Sequence, residues 1–124
     1  MTSHVRIRRA YDAPERIDGY RVLVDRLWPR GLSKEELPYD AWKKDLAPSP
    51  ALRKWFGHKA ENWEQFRDSY QTELRAPEQI ERMKALIAAA KKAGQRTITL
   101  VYAAKDAEHN HALILADELN RHYR

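Results

Sequence analysis

Two short runs of β-branched and apolar residues, Tyr20-Arg21-Val22-Leu23-Val24 and Thr97-Ile98-Thr99-Leu100-Val101-Tyr102, flank a long stretch that carries one helix signal after another. Strand, helical crossover and strand make a parallel pair with a right-handed connection. Strands covered on both faces read as near-continuous apolar runs, as these two do. A third run, Val5-Arg6-Ile7-Arg8, alternates apolar with basic residues, the pattern of an edge strand with one wet face. Pro14 and Gly19 punctuate the link between the first two runs in chain order. The expectation is an α/β fold, a small and mainly parallel sheet of about three strands with several helices packed on it. No repeat or linker divides the chain, so one domain over 1–124 is expected.

The intervening stretch supplies the helices. Ser33-Lys34-Glu35-Glu36 has capping-box form, in which the serine accepts from a backbone amide and Glu36 reaches back. Asp40 can cap a short turn carrying Trp42 and Leu46. Ser49-Pro50 is a helix start, an N-cap followed by proline at the first helical position, with Leu52, Trp55 and Phe56 as the buried face and Gly57 as the stop. Trp63, Phe66, Tyr70 and Leu74 recur at spacings of three and four and form one apolar stripe. Pro77 opens a further helix bearing Ile80, Met83, Ile87 and Ala90, and Gly94 ends it. After the last strand, Asp106 can cap a helix whose inner face is Ala112, Leu115, Ala116 and Leu119.

Composition narrows what such a fold can do. A chain of 124 residues with four Trp and six Tyr can bury one core without staples. It has no cysteine, which excludes disulfides, thiolate metal sites and cysteine nucleophiles. No apolar run approaches the ~18 residues of a membrane span, and Met1-Thr2-Ser3-His4-Val5-Arg6 lacks the apolar core of a signal peptide. A cytoplasmic protein with no membrane partner is expected. Of the basic excess, residues 1–58 hold most, with 12 basic against 8 acidic residues, while 59–124 hold 11 against 10. That bias favours anionic partners through long-range attraction, although a solvated surface would show the same count.

Three motifs carry a family resemblance. They are Val24-Asp25-Arg26-Leu27-Trp28-Pro29-Arg30-Gly31 just after a strand, Ala47-Pro48-Ser49-Pro50-Ala51-Leu52-Arg53-Lys54-Trp55-Phe56-Gly57-His58, and Leu100-Val101-Tyr102-Ala103-Ala104-Lys105-Asp106 followed by Asn110-His111-Ala112. Together they resemble the bacterial YeaO-like domain-of-unknown-function family from about Arg6 to Leu119. The resemblance implies the fold and a bacterial kinship, and it brings no catalytic or binding residues with it.

The chemistry is therefore read from position. Open parallel sheets bind ligands beyond the carboxyl ends of their strands. Both interior runs end in charge there, with Asp25-Arg26 after one and Lys105-Asp106 after the other, and Arg30 lies close by. If the strands are neighbours, these groups share a crevice. One of Asp25 and Asp106 would serve as general base if a neighbour or burial raised its pKa, and His111 could carry a proton. Arg26, Arg30 and Lys105 would hold a phosphate, with Arg53 a further candidate contact. Trp28, between two arginines, could stack on a ring or plug the core beneath its loop. Asp106 as a helix cap, Asp25 and Arg26 as a local pair, and Arg53 on a solvated helix face explain the same residues structurally.

Other chemistries find less support. Ser49 sits in no nucleophile elbow and reads as a cap. His109 and His111 lie two apart and cannot jointly grip one metal on a helix, so no metal is expected. Only four glycines are present, in neither a Gly-x-Gly-x-x-Gly nor a Walker pattern, so no nucleotide cofactor is expected. The leading expectation is a small-molecule domain binding a phosphorylated or nucleotide-like anion, as a binding protein, hydrolase or transferase. The competing one is a nucleic-acid-binding or regulatory module using Arg6, Arg8, Arg9, Arg21, Lys43 and Lys44 as phosphate contacts, with binding that weakens steeply with salt.

Overall fold

The computed structural model describes residues 4–123; Met1-Thr2-Ser3 and Arg124 lie outside the described residues. Four strands form one sheet: β1 (Val5–Arg9), β2 (Tyr20–Leu23), β3 (Ala41–Trp42) and β4 (Ile98–Tyr102). Their order is β1-β4-β2-β3 and every pairing is parallel. All four carboxyl ends therefore meet at one edge. The two apolar runs are the interior strands, Val22 lies opposite Leu100, and the alternating run Val5–Arg9 is at an edge as its pattern requires. Gly19 sets the start of β2 at φ 63°, where a Cβ would lie 2.4 Å from the Thr97 carbonyl oxygen, so only glycine fits there.

Alternation along the strands separates two faces. Val5, Ile7, Val22, Val24, Ile98, Leu100 and Tyr102 face the helices α1 (Pro50–Phe56), α2 (Trp63–Leu74), α3 (Pro77–Lys92) and α4 (His111–His122). Phe66, Tyr70 and Leu74 of α2 and Met83, Leu86, Ile87 and Ala90 of α3 complete that core, as do Ala112, Leu115, Ala116 and Leu119 of α4. Each fully buried large apolar side chain contributes about 1.5–3 kcal/mol.

Among the described residues, no α-helix packs on the opposite face. The segment between β2 and β3 folds over it, and Leu37, Trp28, Leu32 and Trp42 pack on Leu23 and Val101. Beside this small core lies an ionic knot. Asp18, 1% exposed, accepts from Arg8 Nε (2.9 Å), the Glu15 amide (3.0 Å) and Arg21 Nη1, while Thr99 Oγ1 donates to its carbonyl (2.7 Å). Burial alone would raise the pKa of Asp18, but these donors together hold it below the ordinary carboxylate value. The basic residues of β1 and β2 are thus partly internal.

Four local expectations need correction. Asp40 caps no turn with Trp42: its carboxylate accepts from the Arg21 amide (2.7 Å) and its amide donates to the Arg21 carbonyl (2.8 Å), which aligns Ala41–Trp42 as β3. Both capping-box bonds between Ser33 and Glu36 form, yet only a turn follows, because Pro38 disfavours helical backbone at Leu37. Trp55 is 44% exposed; Leu52 and Phe56, four apart, take the single stripe that a two-turn helix offers. Finally, α4 begins after Asn110, whose Oδ1 accepts from the Leu113 amide (3.2 Å). Asp106 instead closes the preceding turn, accepting from the amides of Glu108 (2.9 Å) and His109 (3.1 Å).

Among the described residues, no helix is long and apolar enough to cross a membrane.

Candidate functional site

Parallel pairing puts the ends of β2 and β4 side by side, so the residues after each strand border a common space. A cleft of about 620 Å³ opens there. All eight candidates chosen from the sequence line it: Asp25, Arg26, Trp28 and Arg30 from the loop after β2, Lys105, Asp106 and His111 from the segment after β4, and Arg53 from α1.

Their states differ. The Asp25 carboxylate is fixed across the strand ends, its Oδ2 accepting from the Ala103 amide (3.0 Å). Its Oδ1 is buried without a hydrogen-bond partner, 3.4 Å from His111 Nε2. His111 is the first residue of α4 and its Nε2 lies 3.0 Å from the Val24 carbonyl oxygen. The same ring packs edge-on to Tyr70 at 6.3 Å, and the Tyr70 hydroxyl donates to the Leu46 carbonyl. Burial pushes that hydroxyl well above its usual pKa, so it stays protonated and keeps its bond to the Leu46 carbonyl.

Arg26 spends its Nε on the Pro48 carbonyl (3.0 Å) and so ties the β2 loop to the entrance of α1. Arg30, Arg53 and Lys105 are exposed, and among the described residues their side chains form no ion pair or hydrogen bond. Only the backbone of Arg30 is engaged, its carbonyl accepting from the Tyr11 hydroxyl (2.9 Å). Trp28 resolves as a plug: its indole N–H donates to the Leu32 carbonyl (2.7 Å), and its ring meets Tyr39 and Trp42 edge-on at 5.8 and 5.7 Å.

Asp106 does not have the raised pKa of a general base. The Glu108 amide first, then the His109 side chain at 2.9 Å, hold its carboxylate below the ordinary range despite some desolvation. His109 lies before α4 and meets Trp63 edge-on at 5.3 Å, while His111, the first residue of α4, turns to Val24 and Asp25. Among the described residues, no group of three or more His, Asp or Glu side chains is placed to hold a metal ion.

Residues 4–124 match the family described as the inactive DUF488-N3 subclade. The chain belongs to that family. It is 46% identical over 116 residues to uncharacterized protein YeaO of Escherichia coli, covering 94% of this chain and 96% of that one. An uncharacterized protein of Mycobacterium bovis is 37% identical over 118 residues, 95% of each chain. The YeaO-like resemblance carried by the three motifs is therefore borne out. No solved structure gives a significant match.

In this member of the inactive DUF488-N3 subclade, the cleft also takes wall residues that the strand-end argument passed over. Tyr11 follows β1, and the rule applied to β2 and β4 finds it once β1 is known to run parallel to them. His58 reaches the cleft because Gly57 and His58 both adopt left-handed backbone, at φ 52° and 58°. A positive φ is uncommon outside glycine, and the only sequence signal was a histidine directly after a helix-ending glycine.

Proposed function

We propose that the chain binds a small anionic ligand, phosphorylated or nucleotide-like, in the cleft beyond β2 and β4, and that it binds this ligand without turning it over. One observation carries the reading. The cleft is bordered by Arg26, Arg30, Arg53 and Lys105 against Asp25 and Asp106, and three of its four cations have no intramolecular partner among the described residues. Unpaired cations around a concave site focus positive potential and attract anions. Turnover has weaker support. The family is described as inactive, and Asp106 has a lowered rather than a raised pKa.

A nucleic-acid module would need the basic residues of the first half of the chain on an open surface. Arg8 and Arg21 are committed to Asp18, and Arg9 donates to the carbonyls of Ala103 (3.3 Å) and Ala104 (3.0 Å). Arg6 also donates to the Ile17 carbonyl (3.4 Å), so four of that module's six proposed phosphate contacts are already engaged.

Calorimetric titration with nucleoside mono- and diphosphates at physiological salt tests the proposal. Saturable binding of one ligand per chain is expected. Removing two of the three exposed cations in an Arg30→Ala, Lys105→Ala variant should weaken it by about tenfold or more while the melting temperature is kept. If no phosphorylated compound binds while duplex DNA binds with a steep salt dependence, the nucleic-acid reading replaces this one.

A further inference from the structure

A second chamber of about 370 Å³ opens off the cleft beneath α1, and its chemistry differs from that of the main space. Its apolar lining comes from Phe56, Phe66, Pro48 and Pro50. The two phenyl rings are stacked at 4.2 Å with 16° between their planes, and both are nearly fully buried. Its polar lining is Arg53, Lys54, His58, Asn110 and His111.

Among the described residues, no carboxylate borders this chamber, whereas Asp25 and Asp106 border the cleft. Asn110 is occupied with the Leu113 amide and the Asp106 carbonyl, and His111 with Val24. Arg53 and Lys54 form no ion pair among the described residues, and His58 contacts Phe56 at 5.9 Å between rings. The free donors are thus gathered at the α1 side, directly above an aromatic and proline surface.

We propose that this chamber takes a small aryl anion, a single aromatic ring bearing one carboxylate or phosphate, with the ring against Phe56 and Phe66 and the charge at Arg53, Lys54 and His58. The inference rests on the reading of the adjoining cleft as an anion site and names the chemistry of the bound group. The volume lies near the lower end of ligand sites, about 300–1,000 Å³, which suits one ring and is tight for a whole nucleotide. Aromatic rings pack well edge-on or offset against others. A bare phosphate would leave the apolar wall uncovered, and a neutral arene would leave the cations without a counter-charge.

The test titrates the whole chain with phenyl phosphate, benzoate, methyl phosphate and inorganic phosphate, followed by calorimetry and by amide NMR shifts. Phenyl phosphate or benzoate should bind at least about tenfold more tightly than methyl phosphate, with shifts centred on Arg53, Lys54, His58 and His111. Whichever aryl compound binds better fixes the anionic group. Arg53→Ala should weaken that binding by about tenfold, and Lys84→Ala, on α3 and lining neither space, should leave it unchanged. The proposal is overturned if methyl phosphate binds as tightly as phenyl phosphate, or if Arg53→Ala leaves aryl binding unchanged. Should aryl anions fail while a nucleoside monophosphate still binds, the chamber falls and the cleft stands. If no anion binds at all, both fall.

Discussion

Nε2 of His111 lies 3.0 Å from the carbonyl oxygen of Val24 and 3.4 Å from Oδ1 of Asp25. A carbonyl oxygen only accepts, so the ring carries a proton on Nε2 and leaves Nδ1 as the basic nitrogen. Burial lowers the pKa of this imidazole below 6.5, with Arg53 and His58 adding to the effect, against the opposing pull of Asp25 and the Val24 carbonyl. Folding therefore favours the neutral ring. The stability it contributes is complete above the unfolded value, about pH 6.5, and is lost as the pH falls through the lowered folded-state value. Long-range nitrogen–proton NMR should show the Nε2–H tautomer at pH 7 and a titration midpoint below 6.5. A midpoint above that value, or an Nδ1–H pattern, would contradict the assignment.

Asp18 anchors two arginines from neighbouring segments inside the helix-free face. Replacing it in Asp18→Asn leaves Arg8 and Arg21 without their buried counter-charge and should destabilise the fold by about 3–5 kcal/mol in urea unfolding. Its lowered pKa adds a pH signature: the stabilisation is full above the unfolded carboxylate value and is lost as the pH falls through the lower folded value. In the asparagine variant, this part of the acid slope should vanish. An unchanged slope would show that the knot does not titrate with folding.

The start of α4 offers a contrast between two side chains. Asn110→Ala removes the cap on the Leu113 amide and should cost about 1 kcal/mol or more, since the same side chain also bonds the Asp106 carbonyl. Asp106→Ala opens only an exposed turn and should cost less than about 0.5 kcal/mol. The reverse ranking in chemical denaturation would return the cap to Asp106.

Leu27 and Trp28 are adjacent in the chain but differ in what they support. Leu27 is 72% exposed, so Leu27→Ala should leave stability within about 0.5 kcal/mol of the parent. Trp28→Ala removes the ring that Tyr39 and Trp42 pack against and should cost about 3 kcal/mol. A Trp28 variant that is stable but has lost ligand affinity would assign the indole to binding instead.

The sheet was readable because period-two alternation, in Val5–Arg9, and β-branched apolar runs, in Tyr20–Leu23 and Ile98–Tyr102, are local signals. Their adjacency brought together all eight chosen side chains, since the strand-end rule needs only neighbouring parallel strands. What escaped was set by contacts distant in sequence. The two-residue β3 is aligned by the Asp40 carboxylate on the Arg21 amide, which no periodicity encodes. Asp106 and Asn110 both have capping chemistry, and only the path of the chain decides which of them meets the helix. The approach of His58 to the cleft goes with two successive left-handed residues, one of them not glycine, which no sequence pattern announces.

The uneven covering of the sheet has a bearing on motion. The stretch that brings Asp25, Arg26 and Arg30 to the cleft is the same one that roofs Leu23 and Val101 with Trp28 and Leu37. That wall cannot swing outward without exposing the smaller core, so adaptation to an incoming molecule falls to the α1 side. There a seven-residue helix ends in the Gly57–His58 bend and holds only one stripe of buried contacts. One wall of the cleft is thus anchored in a core of its own, the other rests on a single short helix, and the Arg26–Pro48 bond joins the two.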